Sequence, residues 1–395
     1  MKVLFIQHVS VLGGSSRSLL ELIDNLPEDI KPSVLCPKGE FSKLLEKKRI
    51  KIFSILGVPQ FDNTRIGQYR KFRWLILLRE FFYLPFLFLK ILKLRKENFD
   101  IVHINEITQI YSIILSKIFL GNTVVHVRSM QSVKKNFRYK VLLKILKKYT
   151  DSIIAIDKSV KSTLDASLDV EVIHNGMSLD SITLDKEDKE EFTVGIVSNF
   201  QRYKGILELI DAANICINHK KLDINFYIFG AEYNSTKSIK EKIFQLFGFR
   251  EDMDVIIKNK LTKYNLGNRL KLKGYVHSPN DIYNHIDLLT FPSHLNAVGR
   301  PVFEAGFYKV PTIVAIHNEF NDAIINGLTG ICIKEKNADA LADAIARLYS
   351  NNNLLLSMGE ESYKLANTLY NSKKNSFKIY ALYTSLIDKD NHVQK

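Results

Sequence analysis

Short apolar runs alternate with helix-length stretches along most of the chain, and this alternation constrains the fold more than any other feature. In the first half, the runs lie at Val3–Ile6, Ser33–Cys36, Ile101–Ile104, Thr123–Val127 and Ser152–Ile156. Continuous apolar runs of four or five residues are typical of strands buried on both faces, which occur in parallel sheets joined by crossover helices. The pattern therefore predicts an α/β fold of the doubly wound, Rossmann-like type.

The same alternation begins again after a polar, acidic stretch, NGMSLDSITLDKEDKEE, at residues 175–191. Beyond this stretch, strands are predicted at 193–198, 224–229, 270–272, 288–291 and 312–315, with helices beginning at Gly205 and Arg300. Because 395 residues normally form two domains, we predict domains over 1–178 and 190–369, with a last helix, 370–395, packing back on the first. We expect the two domains to face each other across a ligand-binding cleft.

The composition argues against an exported or membrane-spanning protein. Three scattered cysteines, Cys36, Cys216 and Cys332, fit neither a disulfide framework nor a zinc site. The first ten residues contain only four consecutive apolar residues and so resemble a strand more than a secretory signal. The longest apolar segment, Phe81–Leu89, has nine residues and contains Pro85, whereas a membrane span needs about 20. We therefore expect a cytoplasmic protein.

Basic residues are concentrated in the first half. Residues 1–180 contain 29 Lys and Arg against 17 Asp and Glu, whereas the remainder contains 27 against 25. Two segments, 65–98 and 134–148, combine these cations with Trp74 and with many Phe and Leu residues. This mixture is typical of surfaces that insert shallowly into anionic lipid, and nucleic-acid binding does not need so many aliphatic residues. We predict peripheral association with the inner face of the cell membrane and expect no nucleic acid; core helices with basic outer faces are the alternative.

Two strand-to-helix loops carry features of anion sites. In the second half, Arg202 and Lys204 lie directly before a helix, where cations do not stabilise the helix dipole, so phosphate binding explains them better than a solvated loop does. In the first half, Gly13 and Gly14 occupy the corresponding loop, where glycine lets the backbone approach an anion. An ordinary turn with a serine N-cap is the alternative. The loop lacks a Walker lysine and a full GxGxxG, which disfavours a P-loop or a standard dinucleotide site.

The stretch DLLTFPSHLNAVGRPVFEAGFYKVPTIVA, residues 287–315, resembles the donor-binding segment of retaining GT-B glycosyltransferases. This large family includes the bacterial polysaccharide and lipopolysaccharide sugar transferases. Its motif contains two glutamates, and the resemblance implies that the second, Glu304, accepts hydrogen bonds from the ribose hydroxyls of a nucleotide sugar. The first falls on Asn296, which keeps an acceptor but loses the charge. We also predict donor contacts for His294, Asn296, Val298, Gly299 and Arg300; solvation at the surface is the alternative for His294 and Arg300.

The resemblance extends over almost the whole chain. It includes Gly13–Gly14, Asp100–His103, His174–Gly176, Arg202, Lys204, Gly230, Lys273–Val276 and Gly327–Gly330. It implies that Arg202 and Lys204 hold the donor diphosphate and stabilise the leaving group, with Gly14 approaching it from the other domain. Gly274, Tyr275 and Val276 would lie near the base. Family members often place a histidine near the reacting sugar, and the stretch VVHVRSM offers His126 or Arg128 for this position. A core histidine is the alternative for His126.

The sequence therefore predicts a metal-independent glycosyltransferase without a bound cofactor. Asp252 and Asp254 form a DxD pattern, but in a charged, helical setting unsuited to metal binding. The predicted reaction moves a sugar, with retention, from a nucleotide-diphosphate sugar to a saccharide or lipid-linked acceptor in cell-surface polysaccharide biosynthesis. The alternatives are a nucleotide-sugar epimerase on the same fold and a non-enzymatic basic binding protein.

Overall fold

The computed structural model describes residues 1–65, 75–185, 191–230, 252–317 and 320–393. The chain divides into two compact units, the first formed by Met1–Ser178 with Tyr370–Lys395 and the second by Leu179–Leu369. Trp74, with the rest of 66–74 in the basic segment, lies outside the described residues, as does part of the acidic stretch.

The first unit contains a seven-stranded sheet in which every neighbouring pair of strands is parallel. The strands are β1 (Lys2–Ile6), β2 (Lys31–Pro37), β3 (Lys51–Ile55), β4 (Ile101–Ile104), β5 (Thr123–Val127), β6 (Ser152–Ala155) and β7 (Val170–Val172). Their order is β3-β2-β1-β4-β5-β6-β7, so the direction of winding reverses between β1 and β4. Doubly wound folds bind ligands beyond the carboxyl ends of the strands at such a reversal.

Helices cover both faces of this sheet. They are α1 (Gly14–Asp24), α2 (Glu40–Lys47), α3 (Ile76–Leu94), α4 (Ile110–Phe119), α5 (Phe137–Tyr149), α6 (Lys158–Lys161) and a C-terminal helix (Ser372–Val393), with a 3-10 turn at Arg95–Glu97. Because side chains alternate along a strand, Val3 and Phe5 pack with α1, α2 and Tyr383 of the C-terminal helix. Leu4 and Ile6 face the opposite core, which α3, α4 and α5 cover.

The second unit contains a six-stranded parallel sheet. Its strands are β8 (Phe192–Val197), β9 (Ile224–Phe229), β10 (Leu270–Gly274), β11 (Leu288–Phe291), β12 (Thr312–Ala315) and β13 (Gly330–Ile333). Its helices are α7 (Ile206–Asn214), α8 (Met253–Tyr264), α9 (Asn280–Tyr283), α10 (Arg300–Phe307), α11 (Ala338–Tyr349) and α12 (Asn352–Leu369), with shorter turns at Leu179–Ser181, Arg202–Lys204 and Ile215–His219. The order β10-β9-β8-β11-β12-β13 reverses between β8 and β11.

The prediction of two doubly wound, parallel α/β sheets is confirmed. Both sheets have the strand order of nucleotide-binding folds, and the first adds one strand at its edge. Over the part of the chain that the structure describes, no helix is both long enough and apolar enough to cross a membrane.

Candidate functional site

In the second unit, the loops that follow β8 and β11 meet where the strand order reverses. The backbone N–H of His294 donates a hydrogen bond of 2.8 Å to the carbonyl of Tyr203. Gly205, with φ 80°, is the N-cap residue of α7, and a Cβ atom on it would lie 2.0 Å from the carbonyl oxygen of Pro292. Only glycine combines this conformation with this close approach. The contact fixes the turn Arg202–Lys204 against the end of β11.

The side chain of Lys204 lies among aromatic rings at this reversal. Its Nζ is 5.9 Å from the ring centroid of Phe291 and 5.5 Å from that of Tyr203. Burial lowers the pKa of the Lys204 ammonium. Among the described residues, this ammonium forms no hydrogen bond or ion pair. Only aromatic faces compensate for the water that this cation has lost, so a bound anion would stabilise its charge strongly. Arg202, at the start of the same turn, is exposed.

His294 is paired with Glu208 of α7. The distance from His294 Nε2 to Glu208 Oε1 is 2.9 Å, and only 14% and 17% of the two side chains are exposed. The second oxygen, Oε2 of Glu208, is buried and accepts no hydrogen bond from the described residues. The pair therefore connects the end of β11 to the helix that follows Lys204.

Glu304 lies in α10 and is only 7% exposed. Its Oε2 accepts a hydrogen bond of 2.8 Å from the Tyr283 hydroxyl, and its Oε1 accepts one of 2.5 Å from Arg300 Nε. Burial, with the carboxylate beside it, raises the pKa of Tyr283, so this hydroxyl stays a donor. Each carboxylate oxygen keeps a second lone pair. Glu304 is thus a rigid acceptor, and Arg300 is an ion-pair partner of Glu304.

Asn296, at the position of the first motif glutamate, has a local structural role. Its φ is 49°, a left-handed conformation that asparagine adopts more readily than glutamate. Its Oδ1 accepts a hydrogen bond of 2.6 Å from the backbone N–H of His317. Val298, in the same loop, packs in a cluster with Phe291. A Cβ atom on Gly299 would lie 2.5 Å from the Phe291 ring.

Gly274 is the last residue of β10, two strands away from the reversal, and Tyr275 and Val276 follow it. The Gly274 carbonyl accepts a hydrogen bond of 2.7 Å from the Gly230 N–H. The Tyr275 side chain is 46% exposed, and its ring centroid lies 4.8 Å from that of His277. Val276 is half-buried. An exposed aromatic ring thus stands at the carboxyl edge of this sheet.

In the first unit, Gly13 and Gly14 begin α1. Gly13 is the N-cap residue and no side chain caps the helix, so the alternative of a serine N-cap is wrong. A Cβ atom on either glycine would meet no atom within 4 Å. Packing within this unit therefore does not require glycine at either position.

Arg128 and His126 belong to one polar network, but their exposures differ. His126 lies inside β5 and is 2% exposed, whereas Arg128 follows the strand and is half-buried. The Arg128 guanidinium donates from Nε to Asn105 Oδ1 at 2.7 Å and from Nη1 to Asn175 Oδ1 at 2.5 Å. Its Nη2 lies 3.3 Å from His126 Nδ1. Burial and this guanidinium lower the pKa of His126, so its imidazole is neutral and accepts this hydrogen bond. Arg128, and not His126, is thus accessible to a ligand.

The network continues into the core. Nε2 of His103 lies 3.3 Å from His126 Nδ1, and Nδ1 of His103 lies 2.6 Å from the hydroxyl of Tyr383 in the C-terminal helix. Burial lowers the pKa of His103 to about 3. The neutral His103 ring has one donor and one acceptor nitrogen and so links His126 to Tyr383. The C-terminal helix therefore contributes a side chain to the network that holds Arg128.

Glu106, which the sequence reasoning missed, lies two residues beyond β4. Its Oε1 accepts hydrogen bonds from the Ile107 N–H at 2.9 Å, the Ser129 hydroxyl at 3.1 Å and the Arg128 N–H at 3.5 Å. Glu106 is 7% exposed, and burial raises the pKa of its carboxyl to about 7. The only feature of the sequence that could have indicated Glu106 as a site residue is its position just after a predicted strand.

Asp252 and Asp254 have an ordinary structural setting. Asp252 is the N-cap residue of α8, and its Oδ1 accepts a hydrogen bond of 3.3 Å from the Val255 N–H. The described parts of the chain contain no group of three or more His, Cys, Asp or Glu side chains placed to hold a metal ion.

Two doubly wound α/β units of this strand order are the architecture of the GT-B glycosyltransferases. Residues 12–181 match the family described as Glycosyltransferase Family 4, and residues 184–365 match the family described as Glycosyl transferases group 1. The two matches together cover most of the chain. The protein therefore belongs to the glycosyltransferases that these two families describe, and it is an enzyme.

Individual relatives agree with this assignment. The capsular polysaccharide biosynthesis glycosyltransferase CapM of Staphylococcus aureus is 25% identical over 274 residues, which cover 64% of this chain and 67% of CapM. The structure of HepE from Anabaena in complex with UDP matches with a TM-score of 0.76 and 18% identity, covering 98% of this chain and all of HepE. Sucrose-phosphate synthase from Thermosynechococcus elongatus matches with a TM-score of 0.73 and 16% identity, covering 98% and 99% of the two chains. At these identities, the structural likenesses concern the fold alone.

Proposed function

We propose that this glycosyltransferase moves a sugar, with retention of anomeric configuration, from a nucleotide-diphosphate sugar to a saccharide or lipid-linked acceptor. The second unit would bind the donor and the first unit the acceptor. The observation that carries the proposal is Lys204, a partly desolvated cation without an acidic partner among the described residues, at the strand reversal of the second unit. The similarity to CapM, a capsular polysaccharide biosynthesis glycosyltransferase, supports a role in cell-surface polysaccharide biosynthesis.

Lys204 and Arg202 would bind the donor diphosphate and stabilise the negative charge that it gains as the leaving group. Preorganised cations and N–H donors can supply this stabilisation directly. Gly13 and Gly14 leave space beside the uncapped start of α1, which suits the approach of a phosphate. HepE has been solved with UDP and with UDP-glucose, which supports a nucleotide sugar as the donor.

Glu304 would accept hydrogen bonds from the ribose hydroxyls through the lone pairs that Tyr283 and Arg300 leave available. The residues Gly274–Val276 would surround the base, with the exposed ring of Tyr275 available for stacking. Near the donor sugar, the neutral amide of Asn296 replaces a carboxylate, and His294 is paired with Glu208. We place Arg128, supported by His126, near the reacting sugar.

A thermal-shift screen with UDP-, GDP-, ADP-, CDP- and dTDP-sugars tests the donor assignment. Ligand at 100 times its Kd stabilises the native state by about 2.7 kcal/mol, so the donors with the correct base should raise the Tm by several degrees. The Lys204→Met variant, which keeps the length of the side chain without the charge, should lose most of this shift. Failure of every nucleotide sugar to raise the Tm of the parent would contradict the proposal. Conversion of the donor to a different nucleotide sugar without acceptor would favour the epimerase alternative.

We further propose that the first unit binds the inner face of the cell membrane through α3 and α5. The two helices pack on either side of α4, in one layer. Helix α3 exposes an apolar face although its opposite face is buried in the core. The apolar face of α3 consists of Leu78, Phe81, Phe82, Phe86 and Leu89, each between 44% and 63% exposed.

The outer face of α5, on the other side of α4, supplies positive charge in the same helical layer. Lys140, Lys144, Lys147 and Lys148 are all exposed. An exposed apolar face and a row of exposed lysines in one helical layer match the chemistry of an anionic lipid surface, which binds by shallow insertion and electrostatic attraction together. It also provides a reason for a lipid-linked acceptor.

A further inference from the structure

The carboxyl group of Glu106 has one oxygen fixed by the protein and one left for a ligand. Three donors from two chain segments reach Oε1, whereas Oε2 accepts no hydrogen bond from the described residues. Oε2 is not among the polar atoms that are sealed from solvent. The group lies just beyond β4, at the strand reversal of the first unit, where doubly wound folds bind ligands.

A carboxyl group in this position is costly for stability. Burial disfavours its charged form, and an apolar side chain in a buried position is usually at least as stable as a charged one. The chain nevertheless directs two backbone N–H groups and the Ser129 hydroxyl at a single oxygen. Such an arrangement orients the other oxygen, as a preorganised binding group requires.

The neighbouring groups restrict the chemistry of the ligand. The Arg128 guanidinium, fixed by Asn105 and Asn175, acts electrostatically on the Glu106 carboxyl and favours its ionised form. The nearby guanidinium disfavours a bound cation, and the carboxylate disfavours a bound anion. Among the described residues, no further carboxylate, histidine or thiol joins Glu106 in a metal-binding group. A neutral ligand that donates hydrogen bonds is what remains.

We propose that Oε2 of Glu106 accepts a hydrogen bond from a hydroxyl of the acceptor saccharide. The first unit would then contain a monosaccharide-binding site at Glu106. The inference rests on the proposed function, because it assigns the acceptor to the first unit. It adds the residue that recognises the acceptor and the chemical class of the ligand, a neutral polyol.

Saturation-transfer NMR with methyl glycosides of glucose, galactose and N-acetylglucosamine tests this site. At least one glycoside should bind the parent saturably, and Glu106→Gln should weaken that binding about tenfold or more, as expected for loss of a hydrogen bond to a charged acceptor. Glu106→Asp, which keeps the charge but withdraws it by one methylene, should give an intermediate loss. The matched control is Glu171→Gln, on an exposed glutamate of β7 in the same unit, which should bind as the parent does.

Nucleotide binding distinguishes the possible failures. Every variant should keep the Tm response to nucleotide sugars, because the groups proposed to bind the diphosphate, ribose and base, Lys204, Glu304 and Tyr275, belong to the second unit. A retained response also shows that the variant is folded. If Glu106→Gln binds the glycosides as tightly as the parent, or if no glycoside binds the parent, the saccharide site is wrong while the donor assignment stands. If the parent shows no response to any nucleotide sugar, the proposed function itself fails.

Discussion

Replacing Gly205 by alanine should disrupt the loop that holds Lys204. At φ 80°, alanine costs roughly 1–2 kcal/mol in the left-handed region. The new Cβ would also lie 2.0 Å from the carbonyl oxygen of Pro292 and 2.6 Å from its carbon, so one of the two loop backbones must move. Gly327 is a matched control, since its φ is 76° but a Cβ there would meet no atom within 4 Å.

The comparison separates the effect of conformation from that of the contact. Gly327→Ala should lower the free energy of unfolding by roughly 1–2 kcal/mol. Gly205→Ala should lower it by about 2–5 kcal/mol, because forced overpacking adds roughly 1–3 kcal/mol to the conformational cost. Urea unfolding measures both values. Calorimetry should show weaker binding of a nucleoside diphosphate to Gly205→Ala only, because only that variant displaces Lys204. Equal destabilisation and equal affinity for the two variants would show that the loops do not depend on this contact.

Three other predictions concern separate parts of the molecule. Glu304→Gln should leave the Tm without ligand within a few degrees of the parent but weaken donor binding about tenfold or more, because the ribose hydroxyls lose a charged acceptor; unchanged donor affinity by calorimetry would contradict the assignment. For Glu106, the folded pKa of about 7 exceeds the ordinary value of 4.5, so its contribution to stability is present below pH 4.5 and lost as pH rises through 7. Glu106→Gln should therefore gain up to about 3 kcal/mol relative to the parent between pH 4.5 and 8, measured by urea unfolding, and a constant difference would refute this. Finally, the parent should sediment with anionic vesicles at low salt and be released by high salt, whereas Phe82→Ser with Phe86→Ser should bind less; a parent that stays in the supernatant excludes the membrane surface.

The strands were predictable where the sheet is buried on both faces. Five predicted strands match the observed bounds residue for residue: Ile101–Ile104, Thr123–Val127, Ile224–Phe229, Leu288–Phe291 and Thr312–Ala315. The three strands that were missed, β3, β7 and β13, all lie at sheet edges. Edge strands are partly exposed, as the lysine and serine of KIFSI and the glutamate of VEV illustrate. They therefore lack the continuous apolar run that identifies a central strand.

Candidate site residues could be selected from the sequence only where their own surroundings carry a signal. Lys204 could be selected because cations directly before a helix are unusual, and Glu304 because the stretch around it resembles the donor-binding motif; both roles stay predictions. The contact between His103 and Tyr383 joins residues 280 positions apart, and no periodicity in the sequence indicates it. Likewise, the fixed oxygen of Glu106 depends on donors from the segment after β5. The sequence identifies Asn296 as a departure from the motif. The positive φ that favours asparagine at this position is visible only in the folded chain.

The central claim, that Lys204 binds the diphosphate of a nucleotide-sugar donor, is tested most directly by calorimetric titration of the parent and of Lys204→Met. The ligands are the nucleoside diphosphate with the base selected by the thermal-shift screen and the corresponding monophosphate. We expect the variant to bind the diphosphate about 10- to 100-fold more weakly, as for a lost charge-assisted hydrogen bond, and the monophosphate nearly as tightly as the parent does. Equal weakening of both nucleotides, or no weakening of either, would contradict this placement of the diphosphate.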